Sequence, residues 1–159
     1  MGKARHPLLI ISFKLLLRVE DTTLGATVFR RLANLTRGGT HVLLTAAEPD
    51  QWFPTRGNID DVLGAQGRLQ DKLQEVGGDL DGIYYVARSV FTQDRKRTSA
   101  LEDILGRYKL EANEAILLSQ SKAFVRAAER LGIKVHRVPD DDSATDAVLA
   151  SLDALSDSP

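Results

Sequence analysis

Short, almost unbroken apolar runs alternate with stretches of helical periodicity along most of the chain. The first run, Pro7-Leu8-Leu9-Ile10-Ile11-Ser12-Phe13, has the composition of a strand buried on both faces of a parallel sheet. Leu24, Val28, Leu32 and Leu35 then recur at helical spacing and stop at Gly38-Gly39, which predicts a helix over about 24–36. His41 to Thr45 is β-branched and aliphatic, a second strand. A stripe of Ile59, Val62, Leu63, Leu69, Leu73 and Val76 ends at Gly77-Gly78 and predicts a second helix. Gly82 to Val86 reads as a third strand, 98–109 as a third helix carrying Leu101, Ile104, Leu105 and Tyr108 on one face, and Ala115 to Ser119 as a fourth strand. A helix from Phe124 to Leu131 stops at Gly132, and Ile133 to Val138 is the last strand.

Strands that alternate with helices imply a parallel sheet, because each crossover helix must bury its apolar stripe against it. The expected fold is therefore α/β: a Rossmann-like, doubly wound parallel sheet in three α/β/α layers, with no separate cap domain. Residues 1–138 are expected to form this domain. Residues 139–159 read as an acidic linker opening with Asp140-Asp141-Asp142, a short helix from Ala144 to Leu155, and a mobile tail.

Composition narrows the partners. With 159 residues the chain suits one domain, and 21 Lys plus Arg against 22 Asp plus Glu leave it near neutral. Nucleic acid and anionic membranes are not expected partners. The absence of cysteine removes disulfides, thiolate zinc sites and thiol nucleophiles together. The apolar run from Leu8 to Leu17 is broken by Ser12 and Lys14 and falls short of the roughly 20 residues of a membrane span, so a cytoplasmic location is expected.

Ligands of open parallel sheets bind beyond the carboxyl ends of the strands. Ser12 and Lys14 stand at the first of these ends, Thr45 at the second, Arg95 and Lys96 after the third, and Ser119, Gln120 and Ser121 at the fourth. Acids occur only at Glu48 and Asp50, in the loop after the second strand. The stretch Gly77-Gly78-Asp79-Leu80-Asp81-Gly82-Ile83-Tyr84-Tyr85-Val86, followed by Arg95-Lys96, resembles the histidinol and heptose bisphosphate phosphatases of the haloacid dehalogenase superfamily. That resemblance implies an Asp-x-Asp pair where this chain has Ser12 and Lys14, and acidic magnesium ligands near Gln120. It also implies a phosphoryl-binding hydroxyl and lysine, which Thr45 and Lys96 would supply.

On that resemblance the chain is expected to be a catalytically inactive pseudophosphatase, without cofactor and with its magnesium site lost. Magnesium takes oxygen ligands, which a lysine cannot supply. Such a protein would act as a protein-interaction or regulatory module, with an unknown protein partner or a second copy of itself. The alternatives are an active phosphatase on a small phosphorylated metabolite, using Glu48 or Asp50, and a structural subunit of a larger assembly.

Lys14, Thr45 and Lys96 could together hold an anion, although solvated lysines are the plainer reading. Trp52 and Phe53, in a proline-flanked loop, are candidate partner contacts, equally compatible with a loop folded onto its own core. Tyr84 and Tyr85 are expected in the core, and Arg88, Arg95, Lys96 and Arg97 on a solvated face. His6, His41 and His136 lack metal-ligand spacing, and no metal site is expected.

Overall fold

The computed structural model describes residues 6–47, 56–86 and 93–157. Five strands, β1 (Leu8–Ser12), β2 (His41–Ala47), β3 (Gly82–Val86), β4 (Ala115–Ser119) and β5 (Lys134–Arg137), pair in parallel in the order β3-β2-β1-β4-β5. Six helices accompany them: α1 (Phe13–Glu20), α2 (Gly25–Arg37), α3 (Arg56–Glu75), α4 (Gln93–Tyr108), α5 (Lys122–Leu131) and α6 (Ala144–Asp157). The Rossmann-like α/β fold read from the alternation is the one observed.

Side chains alternate across each strand and divide the core in two. Leu9 and Ile11 of β1 pack with Phe13, Leu16 and Val19 of α1, Val28 and Leu32 of α2, Leu69 and Leu73 of α3, and Val148 and Leu152 of α6. Leu8 and Ile10 point the other way, onto Leu101 and Ile104 of α4 and Phe124 and Ala128 of α5. Leu8 and Ile10 are 0% exposed, and burial of each such side chain contributes about 1.5–3 kcal/mol.

The structure departs from the sequence reading at α1. The apolar run does not continue as one strand: Ser12 stops β1, and its Oγ accepts a hydrogen bond from the Leu15 N–H at 3.3 Å, capping a helix that starts at Phe13. Residues 144–157 form a helix packed in the main core, with Ala144, Val148 and Leu152 buried at one-turn intervals. The Gly132 stop of α5 is observed, in the left-handed region at φ 87°, its N–H reaching back to the carbonyls of Ala128 and Glu129. Tyr84 and Tyr85 lie on an edge strand, so neither is fully enclosed and Tyr85 is 41% exposed. Among the described residues, no helix is long and apolar enough to cross a membrane.

Candidate functional site

The register lines up one residue from each strand near the carboxyl end of the sheet. Tyr84 lies beside Thr45, Thr45 beside Ser12, and Ser119 beside Arg137. Ile11 pairs with Leu118, which sets Ser12 and Ser119 one residue further along adjoining strands. Alternation turns this row toward α4 and α5, on the same face as Leu8, Ile10 and Leu117. Ser12, Thr45 and Ser119 are 8, 2 and 1% exposed, so the three hydroxyls lie under the helices rather than in open solvent.

Two of these hydroxyls already serve the backbone. Ser12 caps α1, and Ser119 Oγ accepts from the Ser121 N–H at 3.0 Å. Ser121 Oγ in turn accepts from the Phe124 N–H at 3.3 Å and caps α5. The turn Ser119-Gln120-Ser121 is thereby fixed, and Gln120 Oε1 is buried with no hydrogen-bond partner among the described residues.

A cleft of about 570 Å³ opens next to this turn, beyond the carboxyl ends of β4 and β5. Ser119 and Gln120 form one wall, Lys122, Val125 and Arg126 of α5 another, and Arg137 to Asp140 the third. The Val138 N–H donates to the Ser119 carbonyl at 3.1 Å and closes the corner between the two strands. Asp140 is held by Arg18 of α1 at 2.8 Å, and Arg137 donates to Glu129 at 2.6 Å. Three cations thus border the cleft, with the N-terminal, electropositive end of α5 beside them. They can neutralise and hydrogen-bond an anion.

The expected site residues are only partly brought together. Thr45 is buried beside Ser12, and Gln120 lines the cleft. Lys14 does not join them: it sits in the first turn of α1, exposed, outside the cleft. Lys96 belongs to α4, but its side chain lies outside the described residues, as do Trp52, Phe53, Glu48 and Asp50. Arg97 is not solvated as expected; it is 7% exposed, its guanidinium 5.3 Å from the centre of the Phe124 ring. Sequence reasoning missed Lys122, Arg126 and Arg137, although the one-turn spacing of the first two, directly after a Ser-Gln-Ser strand end, was visible. Among the described residues, no three His, Cys, Asp or Glu side chains gather to hold a metal ion.

No protein-family model matches the chain, and no curated protein matches it. Among solved structures it is similar to an uncharacterized protein from Corynebacterium glutamicum, with a TM-score of 0.57 and 14% identity over 93% of this chain and 96% of that one. It is also similar to a universal stress protein from Archaeoglobus fulgidus, with a TM-score of 0.45 and 12% identity over 80% of this chain and 90% of that one. A structure of the universal stress protein from the same organism in complex with dAMP matches at a TM-score of 0.45 and 13% identity, over 83% and 96%. At such identities the likeness concerns the fold alone.

The resemblance to the haloacid dehalogenase superfamily is overturned: no family model matches the chain, and the solved structure that shares its fold over 93% of its length is an uncharacterized protein, so the ground for expecting a pseudophosphatase is removed. The residues that carried the resemblance have structural duties instead. Gly77 adopts φ +89°, and a Cβ on Gly78 would lie 2.7 Å from Ala33 Cα. Asp79 accepts from the Leu80 N–H at 3.0 Å, and Asp81 accepts from the Tyr108 hydroxyl at 2.5 Å. The glycines suit the tight α3 to β3 connection and the two acids satisfy local donors, independently of any chemistry at the strand ends. At the supposed Asp-x-Asp position, Ser12 is a helix cap and Lys14 is already helical, so the two do not converge on one pocket.

Proposed function

We propose that the protein is a binding module that takes a small anionic, phosphate-like ligand in the cleft beyond β4 and β5. The observation that carries this reading is the placement of Lys122, Arg126 and Arg137 around one 570 Å³ cavity floored by Ser119 and Gln120. Arg supplies a planar fork of donors suited to phosphate or carboxylate, and the fixed Ser-Gln-Ser turn adds polar groups at no further ordering cost. Binding is favoured over turnover because Ser12 and Ser119 spend their oxygens on backbone N–H groups, and Asp140, the acid at the cleft, is tied to Arg18. A hydroxyl without an adjacent base is a weak nucleophile.

Amide NMR during titration with orthophosphate and with a sugar phosphate tests the reading. Shifts confined to Ser119–Ala123 and Arg137–Asp140 are expected, at an affinity of about millimolar for orthophosphate. They should be lost in Arg126→Ala. Unmoved amides in these two segments at saturating phosphate would reject the site.

A further inference from the structure

The cleft carries an acid on its wall as well as cations. Asp140 lines the same cavity as Lys122, and Lys122 forms no ion pair among the described residues. Arg137, by contrast, is already matched by Glu129 at 2.6 Å. A carboxylate beside a bound anion repels it unless a counter-charge cancels the effect. That counter-charge comes from outside the cleft. Arg18, in the last turn of α1, places one guanidinium nitrogen 2.8 Å from Asp140 Oδ1 and another 3.8 Å from Asp142. Helix α1 packs on the opposite face of the sheet from α5, so Arg18 meets Asp140 round the end of the sheet. Other bonds hold the backbone on both sides of Asp140. The Val138 N–H donates to the Ser119 carbonyl at 3.1 Å, and the Asp141 carbonyl accepts from the Ala144 N–H at 3.1 Å. The Asp141 side chain also accepts from the Ser143 N–H, at 2.8 Å. With the chain anchored on either side, what Arg18 adds at Asp140 is charge.

We propose that Arg18 is a positioning residue for the cleft: it fixes the Asp140 carboxylate, cancels its charge, and so admits a doubly charged anion. The inference rests on the cleft reading, and goes beyond it by giving a residue of α1 control over the ligand charge that the site accepts. Both partners are partly exposed, at 39% for the Arg18 side chain and 54% for that of Asp140, so water and salt moderate the repulsion without abolishing it. Repulsion scales with the charge on the ligand. A loss of about twofold for a monoanion therefore becomes about fourfold for a dianion. Removing the acid instead of the arginine acts in the opposite direction, because Arg18 is then a further cation at the rim.

The test compares four full-length chains: unmodified, Arg18→Ala, Asp140→Asn and the double variant. An exposed ion pair adds little to stability, so all four should fold, which urea melts check. Amide shifts at Ser119–Ala123 are followed at about pH 8 with methyl phosphate, a dianion well above its second pKa of about 6, and with dimethyl phosphate, a monoanion. Arg18→Ala should weaken methyl phosphate about fourfold and dimethyl phosphate about twofold. Asp140→Asn should bind both at least as tightly as the unmodified chain, and the double variant should recover from the loss seen in Arg18→Ala. A pair that merely braced the loop would give a different pattern, with Asp140→Asn and the double variant as weak as Arg18→Ala. That pattern, an unchanged affinity in Arg18→Ala, or equal losses for the two esters would overturn the proposal while leaving the cleft reading intact. Amides that stay unmoved in the unmodified chain would condemn the cleft reading, and this inference with it.

Discussion

Glu20, the last residue of α1, has a side chain only 2% exposed and accepts two hydrogen bonds from Arg68 of α3, at 2.8 Å each. Lys72, one turn further along α3, reaches the same carboxylate at 2.8 Å. The pair ties together two helices that are separated in sequence by α2 and β2.

The Arg68 hydrogen bonds, with Lys72, hold the Glu20 carboxyl below its ordinary value against the opposing effect of burial. A folded pKa depressed in this way stabilises the protein fully above the ordinary carboxylate range, and the contribution is lost as the pH falls through the folded value. Glu20→Gln should therefore cost about 1–2 kcal/mol near pH 7, and the gap from the unmodified chain should close in acid. Urea melts at pH 7 and pH 3 measure both quantities. A gap that widens in acid would contradict the sign.

Tyr108 gives the opposite pH signature. Burial first, and then its hydrogen bond to Asp81, raise the phenol above its ordinary value of 10.0. The protonated phenol's contribution is complete below pH 10 and drains away as the pH climbs toward the raised value. Tyr108→Phe should flatten part of the alkaline fall in stability, read by denaturant melts between pH 8 and pH 11. His41 Nδ1 lies 3.0 Å from the same Asp81 oxygen and stays beside that carboxylate in the variant.

Two glycines should answer alanine in opposite ways. At Gly78 the new Cβ would press on Ala33 Cα at 2.7 Å and on Leu73 Cγ at 2.9 Å, where α2 meets the end of α3. Overpacking of this kind costs about 1–3 kcal/mol. At Gly67, inside α3, nothing lies within 4 Å, so Gly67→Ala should stabilise by about 0.5–1 kcal/mol through the entropy of the unfolded chain. Thermal melts of the two variants separate close packing from helix propensity.

Ser12→Ala should cost about 1 kcal/mol, the worth of a helix cap, while Ser12→Asn retains most of the stability. The same variants should leave phosphate-induced shifts at Ser119–Ala123 in place. A phosphate response abolished by Ser12→Ala at unchanged stability would move the site toward β1.

The strands and the middle of each crossover helix were legible because burial on two faces leaves an unmistakable composition: Leu8 to Ile11 and Ala115 to Leu118 could hardly be anything else. Helix α1 was hidden by the same apolar richness. Phe13, Leu15 and Leu16 continue the run of β1, and one serine marks the change from strand to helix. The candidate site was harder to read. Arg97 looks like any loop cation until α5 brings Phe124 against it, and Arg137 joins Lys122 and Arg126 only because β5 lies beside β4. The Gly-Gly-Asp string misled for a physical reason, since short helix-to-strand turns under close packing favour glycine and acidic residues in many unrelated proteins.

The central place of β1 bears on how the protein is made. Leu8 pairs with His41 on one side and Ala115 on the other, so one flank of the innermost strand stays bare until most of the polypeptide has left the ribosome. During that interval the flank is an open apolar edge, a template for the wrong neighbour. A growing chain halted anywhere before β4 would be the species that most needs a chaperone.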